Sequence, residues 1–170
     1  EKIIAIDEYI VAIITSVEFI KNKYCEYFSP EIKQIITEEF IEKYWGKYSC
    51  LLKKNLINKI RIEYDEHFYD KRKEGENDSY LCEIIRKQQT KEFIVLVNKT
   101  NLPLESYIET SIFETNEILM KDHEKIKVIE YAAFYGSNEI IRYMHNNGVE
   151  LTSDIWYFAI HSGDTELIKY

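Results

Sequence analysis

The residues best suited to metal chemistry form one acidic stretch, Glu63, Asp65, Glu66, His67 and Asp70. Glu63 and His67 are four residues apart, so on a helix they share one face and could bind a divalent cation together. A metal site needs three or four converging ligands, whereas exposed acidic helix faces are common in soluble proteins. We therefore expect a solvated helix face and no metal site.

Residues 70–81 offer a second possible cation site. Gly75 stands at the sixth place of an EF-hand-like loop, but Arg72 occupies a ligand position and Leu81 replaces the final glutamate. Calcium binding is therefore not expected. The residues Lys71, Arg72 and Lys73 lie among acidic side chains, and the charged stretch 70–78 is predicted to be a solvated linker.

Cysteine chemistry is also poorly supported. Cys25, Cys50 and Cys82 are far apart, and Cys82 lies between Leu81 and Ile84, as expected of a small core residue. A cysteine nucleophile requires a nearby histidine and an orienting group. The sequence also has no glycine-rich phosphate loop, nucleophile-elbow serine or His-Glu-x-x-His motif. We expect no enzymatic activity and no cofactor.

Composition narrows the class of protein further. The 170 residues are 45% hydrophobic and 31% charged, with a net charge of −8. Such a charge disfavours nucleic acid and anionic membrane surfaces as partners. Five glycines and two prolines are too few for an all-β fold rich in tight turns. Three scattered cysteines fit a reducing compartment, so we expect a cytoplasmic location.

Apolar periodicity predicts an all-α protein with two parts. Residues 1–78 are predicted to form an N-terminal helical bundle of about three helices, with Pro30 and Gly46 as breaks. The first helix has apolar residues every three or four positions from Ile3 to Tyr24, which indicates a core helix or, alternatively, a self-associating one. Residues 79–170 form the second part.

The second part is predicted to consist of helix pairs. The expected helices are 81–85 with 91–98, then 126–145 broken at Gly136, then a helix from Ile155 that breaks at Gly163. Two copies can be aligned on their glycines: Ala132, Gly136, Glu139, Ile141 and Tyr143 fall on Ala159, Gly163, Glu166, Ile168 and Tyr170. Repeated helix–turn–helix units imply a stacked solenoid.

The stretch 132–141, Ala-Ala-Phe-Tyr-Gly-Ser-Asn-Glu-Ile-Ile, resembles an ankyrin repeat. With residues 111–116, 129–137 and 156–161, it is similar to the ankyrin-repeat proteins of trichomonad protists, which have a helical N-terminal domain of unknown function. The resemblance implies an ankyrin-like solenoid that serves as a binding scaffold. Two features depart from the pattern: no Thr-Pro-Leu-His opening is present, and the interval from Gly136 to Gly163 is shorter than the usual period of ~33 residues.

The resemblance also implies where a partner binds. The two variable residues before each glycine face the concave side, which gives Phe134 and Tyr135 in one copy and His161 and Ser162 in the next; Asn147 completes the predicted partner-binding residues. The alternative for Phe134 is inward packing against an adjacent repeat. The expected function is a protein-interaction scaffold for an unidentified protein partner. The alternative is a structural or assembly subunit, self-associating through its N-terminal helices.

The last predicted helix has no cap at Tyr170. An open apolar repeat face is unfavourable in a solenoid, so the repeats are expected to be incomplete at the C-terminus.

Overall fold

The computed structural model describes residues 26–35, 66–120, 125–163 and 165. It confirms the all-α class, because the described residues are mainly helical and their β structure is limited to one isolated bridge between Tyr107 and Lys127. The chain divides into two compact units, residues 1–74 and 75–170.

The first unit contains α1 (Ser29–Ile35) and α2 (Glu66–Glu74) among its described residues. The Arg72 guanidinium donates two hydrogen bonds to the Glu31 carboxylate, at 3.1 and 2.8 Å, and lies 4.7 Å from the ring centre of Tyr27. These hydrogen bonds hold the pKa of Glu31 below its usual value. Most of the predicted three-helix bundle lies outside the described residues.

The prediction of a linker from residue 70 is wrong for residues 70–74, which complete α2. Lys71, Arg72 and Lys73 occupy the last turn, where cations interact favourably with the negative end of the helix dipole. The pairing of Arg72 with Glu31 adds a tertiary contact that local charge balance could not indicate.

The second unit contains α3 (Tyr80–Arg86), α4 (Thr90–Thr100), α5 (Val128–Phe134), α6 (Asn138–Asn146) and α7 (Asp154–Ser162). Ser79 caps α3 by accepting a hydrogen bond from the Cys82 amide at 3.3 Å. The predicted helices at 81–85 and 91–98, the break at Gly136 and the helix that ends before Gly163 are confirmed to within a few residues.

The helices of the second unit pack in two rows. In the first row α5 contacts both α3 and α7, and in the second row α6 contacts α4. Ala132 and Ala133 are fully buried in α5, and such small side chains let neighbouring helices approach closely. Large side chains fill the remaining core, including Ile84, Ile85, Phe93, Ile140 and Met144.

A long connection joins α4 to α5. Its two ends lie side by side, because the Ile108 amide donates to the Ile126 carbonyl at 2.7 Å and the Val128 amide to the Ser106 carbonyl at 3.0 Å. Between them, residues 109–116 contact the segment 75–79 that leads into α3. Asn77 donates from its side-chain amide to the Glu109 carbonyl at 2.8 Å, and its buried side chain fixes this part of the connection.

Candidate functional site

The turns that follow α3, α5 and α7 share one backbone geometry. Each has a residue in the left-handed conformation: Gln88 at φ 53°, Gly136 at φ 64° and Gly163 at φ 65°. In each turn the amide of that residue donates to the carbonyl three residues earlier, at 3.0, 3.1 and 3.2 Å respectively. In the first two turns the following amide also donates to the carbonyl five residues earlier, from Gln89 to Ile84 at 3.0 Å and from Ser137 to Ala132 at 2.9 Å.

The sequence predicted a break between α3 and α4, and the geometry shows that this break matches the turns at Gly136 and Gly163, a match that the sequence pattern did not reveal. The interval from Gln88 to Gly136 is much longer than the interval from Gly136 to Gly163, because the long connection separates α4 from α5. Glycine usually takes the left-handed position because it has no Cβ. Glutamine at this position removes the sequence signal, and the irregular spacing obscures the match with the other two turns.

The shared turns place Arg86, Phe134 and His161 at equivalent positions, two residues before the left-handed residue. The rings of Phe134 and His161 stack across α5 and α7, with centroids 5.1 Å apart and planes inclined by 24°. The Tyr135 ring meets Phe134 edge-on at 5.0 Å. Three of the predicted partner-binding residues therefore form one group, which we call the aromatic cluster: Phe134, Tyr135 and His161.

The two orientations considered for Phe134 are exposure to a partner and inward packing, and the aromatic cluster has features of both. Phe134 is half-buried and packs against the core, while His161 is exposed at the edge of the cluster. Tyr135 is also half-buried, and its ring centre is 4.9 Å from that of Tyr131. The cluster thus has one side fixed on the core and one side open to solvent.

A partly buried polar network lies next to the aromatic cluster, on the side of Tyr131. Arg86 donates to the Tyr131 hydroxyl at 2.8 Å and to the Asn77 carbonyl at 2.7 Å, and it pairs with the Glu76 carboxylate at 2.7 Å. Burial raises the pKa of Tyr135 to about 12 and also raises the pKa of Tyr131. Sequence reasoning missed this network, since Arg86 and Tyr131 are 45 positions apart.

A buried carboxyl group lies in the connection beside this network. Glu114 accepts hydrogen bonds from the Asn77 amide at 3.2 Å and the Asn116 amide at 2.9 Å, and burial raises its pKa. The contacts join segment 75–79 to the connection, which gives this carboxyl group a structural role.

The other two predicted partner-binding residues have local contacts. Asn147 follows the last residue of α6, at the opposite end of that helix from the Gly136 turn, and donates from its side chain to the Tyr143 carbonyl at 2.7 Å. Ser162 adjoins His161 in the sequence and donates to the Ala159 carbonyl at 2.8 Å. The length of α6 thus separates Asn147 from the aromatic cluster.

Among the described residues, those considered for metal binding and for thiol chemistry lie in different helices. Glu66, His67 and Asp70 are exposed on α2, whereas Glu63 and Asp65 lie outside the described residues. Within the described ranges there is no group of three histidine, cysteine, aspartate or glutamate side chains placed to hold a metal ion. Cys82 is fully buried, and burial raises the pKa of its thiol.

Comparisons of the chain with protein-family models, with curated proteins and with solved structures found no match. In the part of the chain that the structure describes, no helix has the length and apolar character required to cross a bilayer.

Proposed function

We propose that the second unit is an ankyrin-like stack of helix pairs that binds a partner protein through its aromatic cluster. The first-row helices α3, α5 and α7 all end in a left-handed turn of this kind, and their shared place in one row supports the repeat architecture. The two rows of helices support it as well, because α5 contacts α3 on one side and α7 on the other. The proposed stack occupies residues 79–170 and follows a proposed N-terminal helical bundle at 1–78.

The observation that carries the proposed function is the stack of Phe134 on His161 beside Tyr135. Aromatic side chains held in place on one side and open on the other are frequent energetic anchors of protein interfaces. Here the rings come from two successive helices of one row, so the surface continues from α5 to α7. A net charge of −8 favours a protein partner over nucleic acid.

Proximity labelling with the intact protein in its own cell tests this proposal. The wild type is compared with Phe134→Ala/Tyr135→Ala and with the control Val95→Ala, which alters an exposed apolar residue on α4. A set of proteins labelled by the wild type and control but lost from the double variant would support the aromatic cluster as the binding surface. Identical labelling by all three proteins would exclude it.

The alternative function, an assembly subunit that self-associates through its N-terminal helices, depends on the apolar stripe from Ile3 to Tyr24. Every residue of that stripe lies outside the described residues, so the alternative stays a prediction from the sequence.

A further inference from the structure

Helix α7 has apolar side chains on two faces. Ile155, Phe158 and Ala159 are buried on the face that belongs to the core. On the other face Trp156 is 39% exposed, Tyr157 48% and Ile160 69%. Exposed large side chains gathered on one helix face are typical of an interaction surface.

The repeat register shows what kind of surface this is. When Gly163 is aligned with Gly136, Trp156 and Ile160 correspond to Ile129 and Ala133 of α5. Those two residues are 3% and 0% exposed, in a helix with a neighbour on each side. The exposed face of α7 is therefore built at positions that are covered by helix packing one repeat earlier.

Polar residues flank this face in a self-complementary way. Asp154 and His161 are both exposed and are two helical turns apart, so they lie on the same edge of α7, one at each end. In an antiparallel pair of α7 helices related by a two-fold axis near Tyr157, Asp154 of each copy faces His161 of the other. Trp156 of each copy then faces Ile160 of the other, and the helix dipoles are antiparallel.

We propose that this face binds a second copy of the chain to form a symmetric dimer through antiparallel α7 helices. The imidazole of His161 is a hydrogen-bond donor to the Asp154 carboxylate, and the pairing occurs twice by symmetry. A contact built from one helix face is smaller than a standard interface. The affinity is therefore expected to be weak, with a dissociation constant on the order of 100 μM.

Sedimentation equilibrium of the full chain, over concentrations spanning that value, measures this association. The wild type should change from monomer to dimer with rising concentration, and Ile160→Glu should weaken association about tenfold or more, since it buries a charge without a partner. Far-UV circular dichroism confirms that each variant stays helical. A wild type that is monomeric throughout, or a dimer that Ile160→Glu leaves unchanged, would overturn the proposal.

A charge exchange tests the antiparallel register. Asp154→Lys alone places a lysine opposite His161 at both ends of the pair, which removes the carboxylate that accepts from the imidazole. His161→Glu alone places two carboxylates opposite each other at both ends. Each variant should therefore self-associate more weakly than the wild type. Mixing the two variants restores an opposite-charge pair at one end and the original pair at the other. We expect the mixture to form a heterodimer, and folded variants that fail to associate on mixing would rule out this register.

Discussion

Arg86 joins three segments of the second unit through one side chain. It contacts the Asn77 carbonyl, the Tyr131 hydroxyl and the Glu76 carboxylate, and the side chain itself is only 14% exposed. Arg86→Leu leaves the carbonyl and the hydroxyl without this donor, and we expect it to lower the free energy of unfolding by about 2–3 kcal/mol. Urea unfolding followed by circular dichroism measures the loss.

Lys87→Leu is the matched control for Arg86→Leu. Lys87 adjoins Arg86 but is 59% exposed and pairs only with Glu83 one turn earlier among the contacts described. Exposed pairs of this kind contribute less than about 1 kcal/mol, so the control should change stability little. Equal losses for both variants would show that the Arg86 network has no special role.

Tyr135 provides a pH-dependent test of the same region. Burial raises its pKa to about 12 from the ordinary value of 10.0, so the folded protein favours the neutral phenol. Its contribution to stability is complete below pH 10 and is lost as the pH rises through 12. In a spectrophotometric titration of tyrosinate, Tyr135→Phe should remove absorbance from the late phase near pH 12. Removal from the early phase near pH 10 would contradict the burial of Tyr135.

At the scale of single elements, the left-handed backbone conformation of one residue defines the turn between α3 and α4. Gln88 has a φ of 53°, a conformation that costs a non-glycine residue roughly 1–2 kcal/mol. Gln88→Gly should therefore raise the free energy of unfolding by about 0.5–1 kcal/mol, after the greater freedom of glycine in the unfolded chain is subtracted. Thermal unfolding of the variant measures the gain.

The opposite substitution, from glycine to a residue with a Cβ, can be made at Gly163. A Cβ added there meets no atom within 4 Å, so Gly163→Ala isolates the backbone cost of a φ of 65°. We expect a loss of about 1 kcal/mol. If Gln88→Gly destabilises the protein while Gly163→Ala does not, the two turns do not share the geometry described above.

Ser137 connects one helix pair to the next. Its buried hydroxyl donates to the Ile85 carbonyl at 2.5 Å, which joins the α5–α6 turn to the end of α3. Ser137→Ala should lower the free energy of unfolding by about 1 kcal/mol. Ser162→Ala removes a hydroxyl that bonds within α7, and should cost less. Hydrogen exchange at the α3 amides distinguishes the two, because only loss of the Ser137 contact should speed exchange there.

The sequence predicted the elements of the second unit better than their contacts. Apolar spacing and the residues around Gly136 and Gly163 indicated the helices of this unit, because these signals are local. The Arg86–Tyr131 contact and the pairing of Arg72 with Glu31 join residues 45 and 41 positions apart, and no local pattern indicates them. The break between α3 and α4 was predicted, but its equivalence to the Gly136 and Gly163 turns was not, since Gln88 occupies a position that glycine usually marks.

For the molecule as a whole, the structure separates what the second unit needs for folding from what it presents to solvent. The buried rows of helices and the Arg86 network hold the second unit together. The aromatic cluster is attached to that frame at one side, and the outer face of α7 offers a second surface. Partner binding and self-association are therefore proposed at neighbouring surfaces that share His161.

We propose that the aromatic cluster contributes more to partner binding than to folding. The most direct test measures the affinity of wild type and Phe134→Ala/Tyr135→Ala for a protein identified by proximity labelling, together with their melting temperatures. We expect at least about tenfold weaker binding, as is typical when interface anchors are truncated, with the variant still folded at the temperature of the assay. A collapse of thermal stability with unchanged affinity per folded molecule would contradict it.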